Sequence, residues 1–282
     1  MSLPPGSASS RRPKSVLVCH AESDVNRDGI ARWLGSFSDL AGIIEIEENA
    51  THALTRVRHE VKRIGPLRFL DVLAFRLYYV ACLARRDAVW TQRELAALAD
   101  RYPDVPPATA VLRTSDPNSP EAQAFVQRLA PDFMLARCKR LLKERIFALP
   151  RCGTFVLHPG ICPEYRNAHG AFWALANNDL GRVGLTLLKI DKGVDTGPVY
   201  GYYTYDVDEV RESHIVIMTR VVFENLERIQ RKLLEIHAGN AEALDTSGRA
   251  SAVWGQPWLT SYLRWKWNAR RRQHARALAR IS

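Results

Sequence analysis

No apolar run in this chain reaches membrane-spanning length free of charge. The nearest stretch, residues 64–83 (IGPLRFLDVLAFRLYYVACL), carries Arg68, Asp71 and Arg76. It reads as a buried or amphipathic helix, with a partner-binding or homo-oligomer surface as the alternative use of its apolar residues. No CxxC pair is present. The five cysteines, Cys19, Cys82, Cys138, Cys152 and Cys162, are scattered and odd in number. That excludes a disulfide framework and a zinc ribbon, and it fits a reduced, cytoplasmic protein with no metal site. No GxGxxG follows the first apolar run, so a dinucleotide is not indicated. Residues 1–14, rich in Pro, Ser and Arg, lack an apolar core, so they read as a disordered basic N-terminus rather than a signal peptide.

Acid is absent from both ends, and this locates the net charge. Residues 1–14 hold Arg11, Arg12 and Lys14; residues 261–282 hold Arg264, Lys266, Arg270, Arg271, Arg272, Arg276 and Arg280. These two segments account for the whole net charge of +10, so residues 15–260 are neutral. The body is not a polyanion-binding surface. Only the Trp- and Arg-rich tail invites a nucleic-acid or anionic-membrane reading, against the plainer one of a terminal helix packed on the body.

What is present is an alternation of apolar runs and helical patterns. Apolar strands are expected at SVLVCH (15–20), LAGIIEIEE (40–48), ATAVLR (108–113), PDFMLARC (131–138) and GTFVLHP (153–159). Later strands are expected at VGLTLLKID (183–191) and PVYGYYTYDV (198–207). Helical spacing fills residues 51–98, broken near Gly65 and Pro66, then 139–147, 168–179 and 212–236. Ser119 with Pro120 marks a capped helix start. This order predicts an α/β fold, a mostly parallel twisted sheet of Rossmann-like type, over residues 15–206, with a helical C-terminal extension at 207–282 ending in the basic tail. In such sheets ligands bind beyond the carboxyl ends of the strands. His158 ends one of them.

Three pieces stand together: HPGICPEYR at 158–166, FWAL at 172–175, and VGLTLLKIDKGVDTGPV at 183–199. Their order and spacing resemble the folate-dependent formyltransferases, which include the glycinamide ribonucleotide, methionyl-tRNA and amino-sugar enzymes. That pattern is a strand ending in Asn-x-His-Pro, a Leu-Pro-x-Tyr-Arg loop, a tryptophan-bearing helix and Asp-x-Gly-x-Asp-x-Gly-Pro. The resemblance covers residues 131–206 well and 15–130 in outline. It implies formyl transfer from 10-formyltetrahydrofolate to a primary amine of a small molecule, a nucleotide-linked amino sugar being one candidate. A silent binding protein of the same fold and a formyltetrahydrofolate hydrolase are the alternatives.

By that resemblance His158 is the oxyanion donor and proton-transfer residue, and Asp195 holds it or relays a proton. His158 and the 194–197 turn are then expected at the same end of adjacent strands. Tyr165 and Arg166 are implied on the binding side; Arg166 would clamp an anion or pair with a loop acid. Gly193 and Gly197 let the second turn approach closely. Asp191, alone, reads as a solvated turn carboxylate. One position departs from the pattern: Val156 stands where the family has asparagine. Losing one oxyanion donor costs roughly 3–4 kcal/mol. Three accounts stand open: Asn167 or His169 on the adjoining loop supplies the donor, the reaction is slow or a variant one, or the fold is kept and the chemistry lost.

Overall fold

The computed structural model describes residues 11–48, 57–58 and 60–279. A seven-stranded sheet runs in the order β3-β2-β1-β4-β5-β7-β8. The parallel part contains β1 (Lys14–His20), β2 (Asp39–Ile46), β3 (Ala110–Thr114), β4 (Phe133–Arg137) and β5 (Gly153–His158). β7 (Leu185–Lys189) is antiparallel to β5, and β8 (Val199–Tyr203) is antiparallel to β7. A separate two-stranded pair joins β6 (Arg166–Asn167) to β9 (Val253–Trp254).

The strands read as continuous apolar runs because both faces of the sheet are covered. Val16, Val18, Ile44, Met134 and Ala136 face α4 (Pro120–Leu129) and Ile146 of the single-turn α5 (Glu144–Phe147). Leu17, Leu135, Phe155 and Leu157 face the other way, onto Trp33 and Leu34 of α1 (Ala31–Phe37). On that same face lie Val221 and Val222 of α7 (His214–Phe223), and Leu226, Ile229 and Leu233 of α8 (Leu226–His237). The predicted boundary at residue 206 therefore falls inside one hydrophobic core, and α7 and α8 are part of the α/β body rather than an extension. Helical spacing over 212–236 did not show the break at Glu224 and Asn225, where Asn225 caps carbonyls with its side-chain amide.

A third cluster joins Phe75 of α2 (Pro66–Cys82), Phe172 and Trp173 of α6 (Gly170–Ala176), and Tyr262, Trp265 and Ala269 of α9 (Leu259–Leu278). The tail is thus docked. Lys266 is buried, with its ammonium donating to the carbonyls of Glu209 (2.7 Å) and Glu212 (2.5 Å). Burial pushes its pKa down to about 8.

Gly65, at φ 82°, and Pro66 make the break before α2, and Leu83 separates α2 from α3 (Ala84–Arg101). Contrary to a core reading of residues 64–83, only Val72 and Phe75 of α2 are buried. Leu67, Leu70, Leu77 and Val80 are between 59% and 82% exposed, because the helix lies outside the sheet layers and offers them one edge. Residues 139–143 are not helical, and the helix predicted there is only the turn α5. Of the basic N-terminus, residues 1–10 lie outside the described residues. Arg12 and Lys14 are ordered, contrary to expectation: Arg12 donates to the Gly35 and Ser36 carbonyls, and Lys14 opens β1. Among the described residues no helix is long and apolar enough to cross a membrane.

Candidate active site

His158 is the last residue of β5 and its side chain is buried. The turn after it is tight. A Cβ on Gly160 would lie 2.8 Å from the Gly170 Cα and 3.0 Å from His158 Nε2, so two glycines let the loop fold down beside the ring. His158 Nε2 lies 2.7 Å from the Tyr165 carbonyl oxygen, and Nδ1 lies 3.3 Å from Asp195 Oδ2. A carbonyl only accepts, so Nε2 carries a proton. Nδ1 then donates to Asp195 only in the imidazolium form. The arrangement suits a ring that holds positive charge or shares a proton with the carboxylate.

Asp195 arrives by a route the sequence did not foresee. β7 is antiparallel to β5, with Lys189 opposite Phe155 and Thr186 opposite His158. The chain therefore leaves β7 away from His158, yet Val194 and Asp195 of the turn still meet His158 and its loop at one end, with the two side chains 3.3 Å apart. Residues 190–198 double back over the sheet to bring the carboxylate to the ring. Asp191 fastens this excursion by accepting from the Gly193 N–H (2.9 Å) and the Thr196 hydroxyl (2.8 Å). It is a turn carboxylate with partners, not a merely solvated one. A Cβ on Gly197 would lie 1.9 Å from the Lys189 carbonyl oxygen, and one on Gly193 would lie 2.0 Å from Thr196 Oγ1. Both glycines are thus required for the close approach.

Two side-by-side residues dock the turn to the loop after β5. Arg166 donates from Nη1 to the Val194 carbonyl (3.2 Å), and the Asn167 backbone N–H donates to Asp195 Oδ2 (2.8 Å). Arg166 therefore clamps a backbone carbonyl, and neither of the partners expected for it is the one it uses. Asn167 (φ 72°), His169 (φ 58°) and Asp195 (φ 51°) are all in the left-handed region. Such backbone persists only where surroundings over-determine it, and it gathers at functional sites.

The loop is braced from the C-terminal side. The Arg166 N–H donates to the Ala252 carbonyl (3.1 Å), and the Ala252 N–H to that of Pro163 (3.2 Å). Trp254 Nε1 donates to the Glu164 carbonyl (2.9 Å), and Arg249 pairs with Glu164 (2.7 Å). Tyr165 stacks on Trp254 with centroids 5.6 Å apart, and its hydroxyl donates to Asp179 (3.0 Å). Tyr165 thus serves the site through its carbonyl, while burial raises its phenol to about 12.

Val156 shares a sheet face with His158 and packs there on Cys162, Leu188 and Val199. The expected replacements for its missing amide do not stand beside it. The Asn167 amide donates to the Trp254 carbonyl (2.5 Å). His169 faces His214, with ring centroids 5.8 Å apart. The left-handed backbone at both positions turns these side chains away from the strand end.

Arg137 was missed in the sequence. It ends β4, beside β1, where the strand order reverses, and donates to the Leu157 carbonyl (2.7 Å) and to Asn26 (3.0 Å). Burial without a carboxylate partner lowers its pKa to about 10. An arginine closing an otherwise apolar strand was the available signal.

The profile of the formyl transferase family matches residues 81–233, more than half of the chain. The methionyl-tRNA formyltransferase of Mycobacterium sp. (strain KMS) is 32% identical over 172 residues, covering 58% of this chain and 54% of that protein. The methionyl-tRNA formyltransferase of Thermotoga maritima is 29% identical over 120 residues, covering 42% and 34%. The chain spans a third to about half of the length of these relatives. A sugar N-formyltransferase from Shewanella sp superposes with a TM-score of 0.52 at 10% identity, covering 86% of this chain and 76% of that one. A phosphoribosylglycinamide formyltransferase from Anaplasma phagocytophilum gives 0.51 at 12%, covering 88% and 100%. At those identities the structures share the fold. Together with the mostly parallel sheet, the profile match places the protein: the chain belongs to the formyl transferase family.

Proposed function

We propose that the protein transfers the formyl group of 10-formyltetrahydrofolate to a primary amine of a small molecule. The observation that carries this reading is the His158–Asp195 pair, 3.3 Å apart, on a buried strand end at the ligand-binding side of the sheet. As the amine adds, the formyl oxygen gains negative charge. The His158 imidazolium supplies a positive group in a site largely shielded from water, where electrostatic stabilisation is strongest. Of the two ring contacts, the one to Asp195 is the longer, so Nδ1 is the edge a substrate oxygen can share. Asp195 takes the proton that the adding amine sheds, and as the tetrahedral adduct collapses its bond to N10 breaks and that proton passes to N10 of the departing tetrahydrofolate. A nucleotide-linked amino sugar remains a candidate acceptor.

One observation favours a second reading, a binding protein without turnover. Val156 puts an apolar side chain, packed on apolar neighbours, on the sheet face of His158 where the family pattern has an amide. The test is purified protein with 10-formyltetrahydrofolate and a panel of primary amines, following tetrahydrofolate release. Amine-dependent release that falls by at least ~100-fold in His158→Ala supports transfer. Folate binding with no release for any amine supports the silent binder.

A further inference from the structure

A cavity of about 310 Å³ lies between α2, the start of α7 and residues 256–257. Phe75, Tyr79, Val80 and Ile215 form much of its apolar wall. Two histidines interrupt that wall, His214 buried and His169 partly exposed. The Nδ1 atoms of His169 and His214 have no hydrogen-bond partner, although both are sealed from solvent. Buried polar atoms are ordinarily satisfied, so two orphans on rings that line one cavity call for a partner. Burial, with Lys139 and Arg76 nearby, pushes the His169 pKa down to about 4, and burial also lowers that of His214. Both rings are therefore neutral, each with one donor and one acceptor nitrogen. Gln256 adds an amide that already hydrogen-bonds His169, and Arg76 adds an exposed guanidinium.

The cavity adjoins the reacting loop. His169 is two residues beyond Asn167, whose N–H holds Asp195. Gly170, the next residue, packs on Gly160 beside the His158 ring. Most of the wall, from α2 and from Gln256 and Pro257, lies outside residues 81–233, the part shared with the family profile. The reaction machinery and the cavity wall thus come from different parts of the chain, as expected where one chemistry meets an individual substrate.

We infer that this cavity takes the non-reacting body of the acceptor: a primary amine on a compact aromatic or branched aliphatic frame, carrying a hydrogen-bonding group for the two histidines and an anionic group for Arg76. The inference rests on the formyl-transfer reading. The donor's pterin ring is a poorer occupant, because its polar edge needs more partners than two imidazoles and one amide provide.

The test uses the full chain with phenethylamine and 4-(2-aminoethyl)benzoate as probes. Nitrogen-15 NMR of the histidine rings, without donor, reads binding, and tetrahydrofolate release reads transfer. Both probes should move the His169 and His214 ring signals, and the benzoate should bind more tightly. Arg76→Gln should remove that preference. Val80→Trp, which fills the cavity from an exposed position, should raise the amine KM by about tenfold or more. His214→Phe should do the same through the lost nitrogen, and Leu77→Trp, outside the cavity, should not. Ring signals that ignore both probes while transfer proceeds would overturn the cavity assignment and leave formyl transfer standing. Ring shifts without any release would leave the amine site standing and remove the acceptor role. A KM change confined to 10-formyltetrahydrofolate would assign the cavity to the donor and overturn the inference.

Discussion

Asp195 Oδ2 accepts the Asn167 backbone N–H at 2.8 Å and lies 3.3 Å from His158 Nδ1. One oxygen thus ties the returning 190–198 excursion to the loop after β5 and aims the histidine. Orientation of an imidazole by a fixed carboxylate is a recurrent device for setting which nitrogen carries the proton.

Asp195→Asn keeps an acceptor for the Asn167 N–H but removes the negative charge. Turnover with a responsive amine should fall by ~100-fold or more, with the melting temperature little changed. Near-normal tetrahydrofolate release would take Asp195 out of the chemistry and leave it a turn residue.

Asn167 occupies left-handed backbone at φ 72° and its amide holds the Trp254 carbonyl. Asn167→Ala loses the hydrogen bond and, with it, the polar side chain that lets asparagine tolerate left-handed backbone, at a combined cost of about 1–2 kcal/mol. Asn167→Gly loses the bond but relaxes the backbone, so it should lie closer to wild type. Denaturant melts order the three proteins. If alanine proves as stable as glycine, backbone strain at this position is not the governing effect.

The parts of this fold that were legible in the sequence are those with local causes. Ser119 and Pro120 start α4 as read, with the Ser119 hydroxyl accepting the Ala122 N–H (3.1 Å). The apolar runs became strands because a sheet covered on both faces needs no alternation. What was not legible depended on distant chain. The direction of β7 fixes how Asp195 reaches His158, yet strand direction leaves no mark in a five-residue apolar run. Asn167 and His169 were read as donors from their residue type. Their left-handed φ, set by the fit of the loop against residues 252–254, decided otherwise.

Val156 offers a direct test of the missing donor. Val156→Asn places an amide on the sheet face of His158. It should raise formyl transfer on the order of 100-fold, while burial among Cys162, Leu188 and Val199 lowers the melting temperature. Loss of stability with no gain in turnover would show that this site does not use a donor there.

The paired rings at the cavity predict acid lability. Burial depresses the pKa of His169 from 6.5 to about 4 and also lowers that of His214. An unfolded chain protonates both near pH 6.5 and so binds more protons than the folded one below it. The stability tied to neutral rings is full above about pH 6.5 and is lost as pH falls toward 4. Thermal melts at pH 7.5 and pH 5 should show a smaller drop for His214→Phe than for wild type. Equal drops would mean that His214 does not govern the acid response.

The brace on the loop after β5 has a consequence for synthesis. His158, Asp195 and the two glycine turns all leave the ribosome before Ala252 and Trp254, which hold residues 163–167 in place. A nascent chain halted between the two sets carries every proposed reacting group without the strand that seats them. The seat for these groups is therefore completed only when residues 252–254 emerge and close the loop behind it.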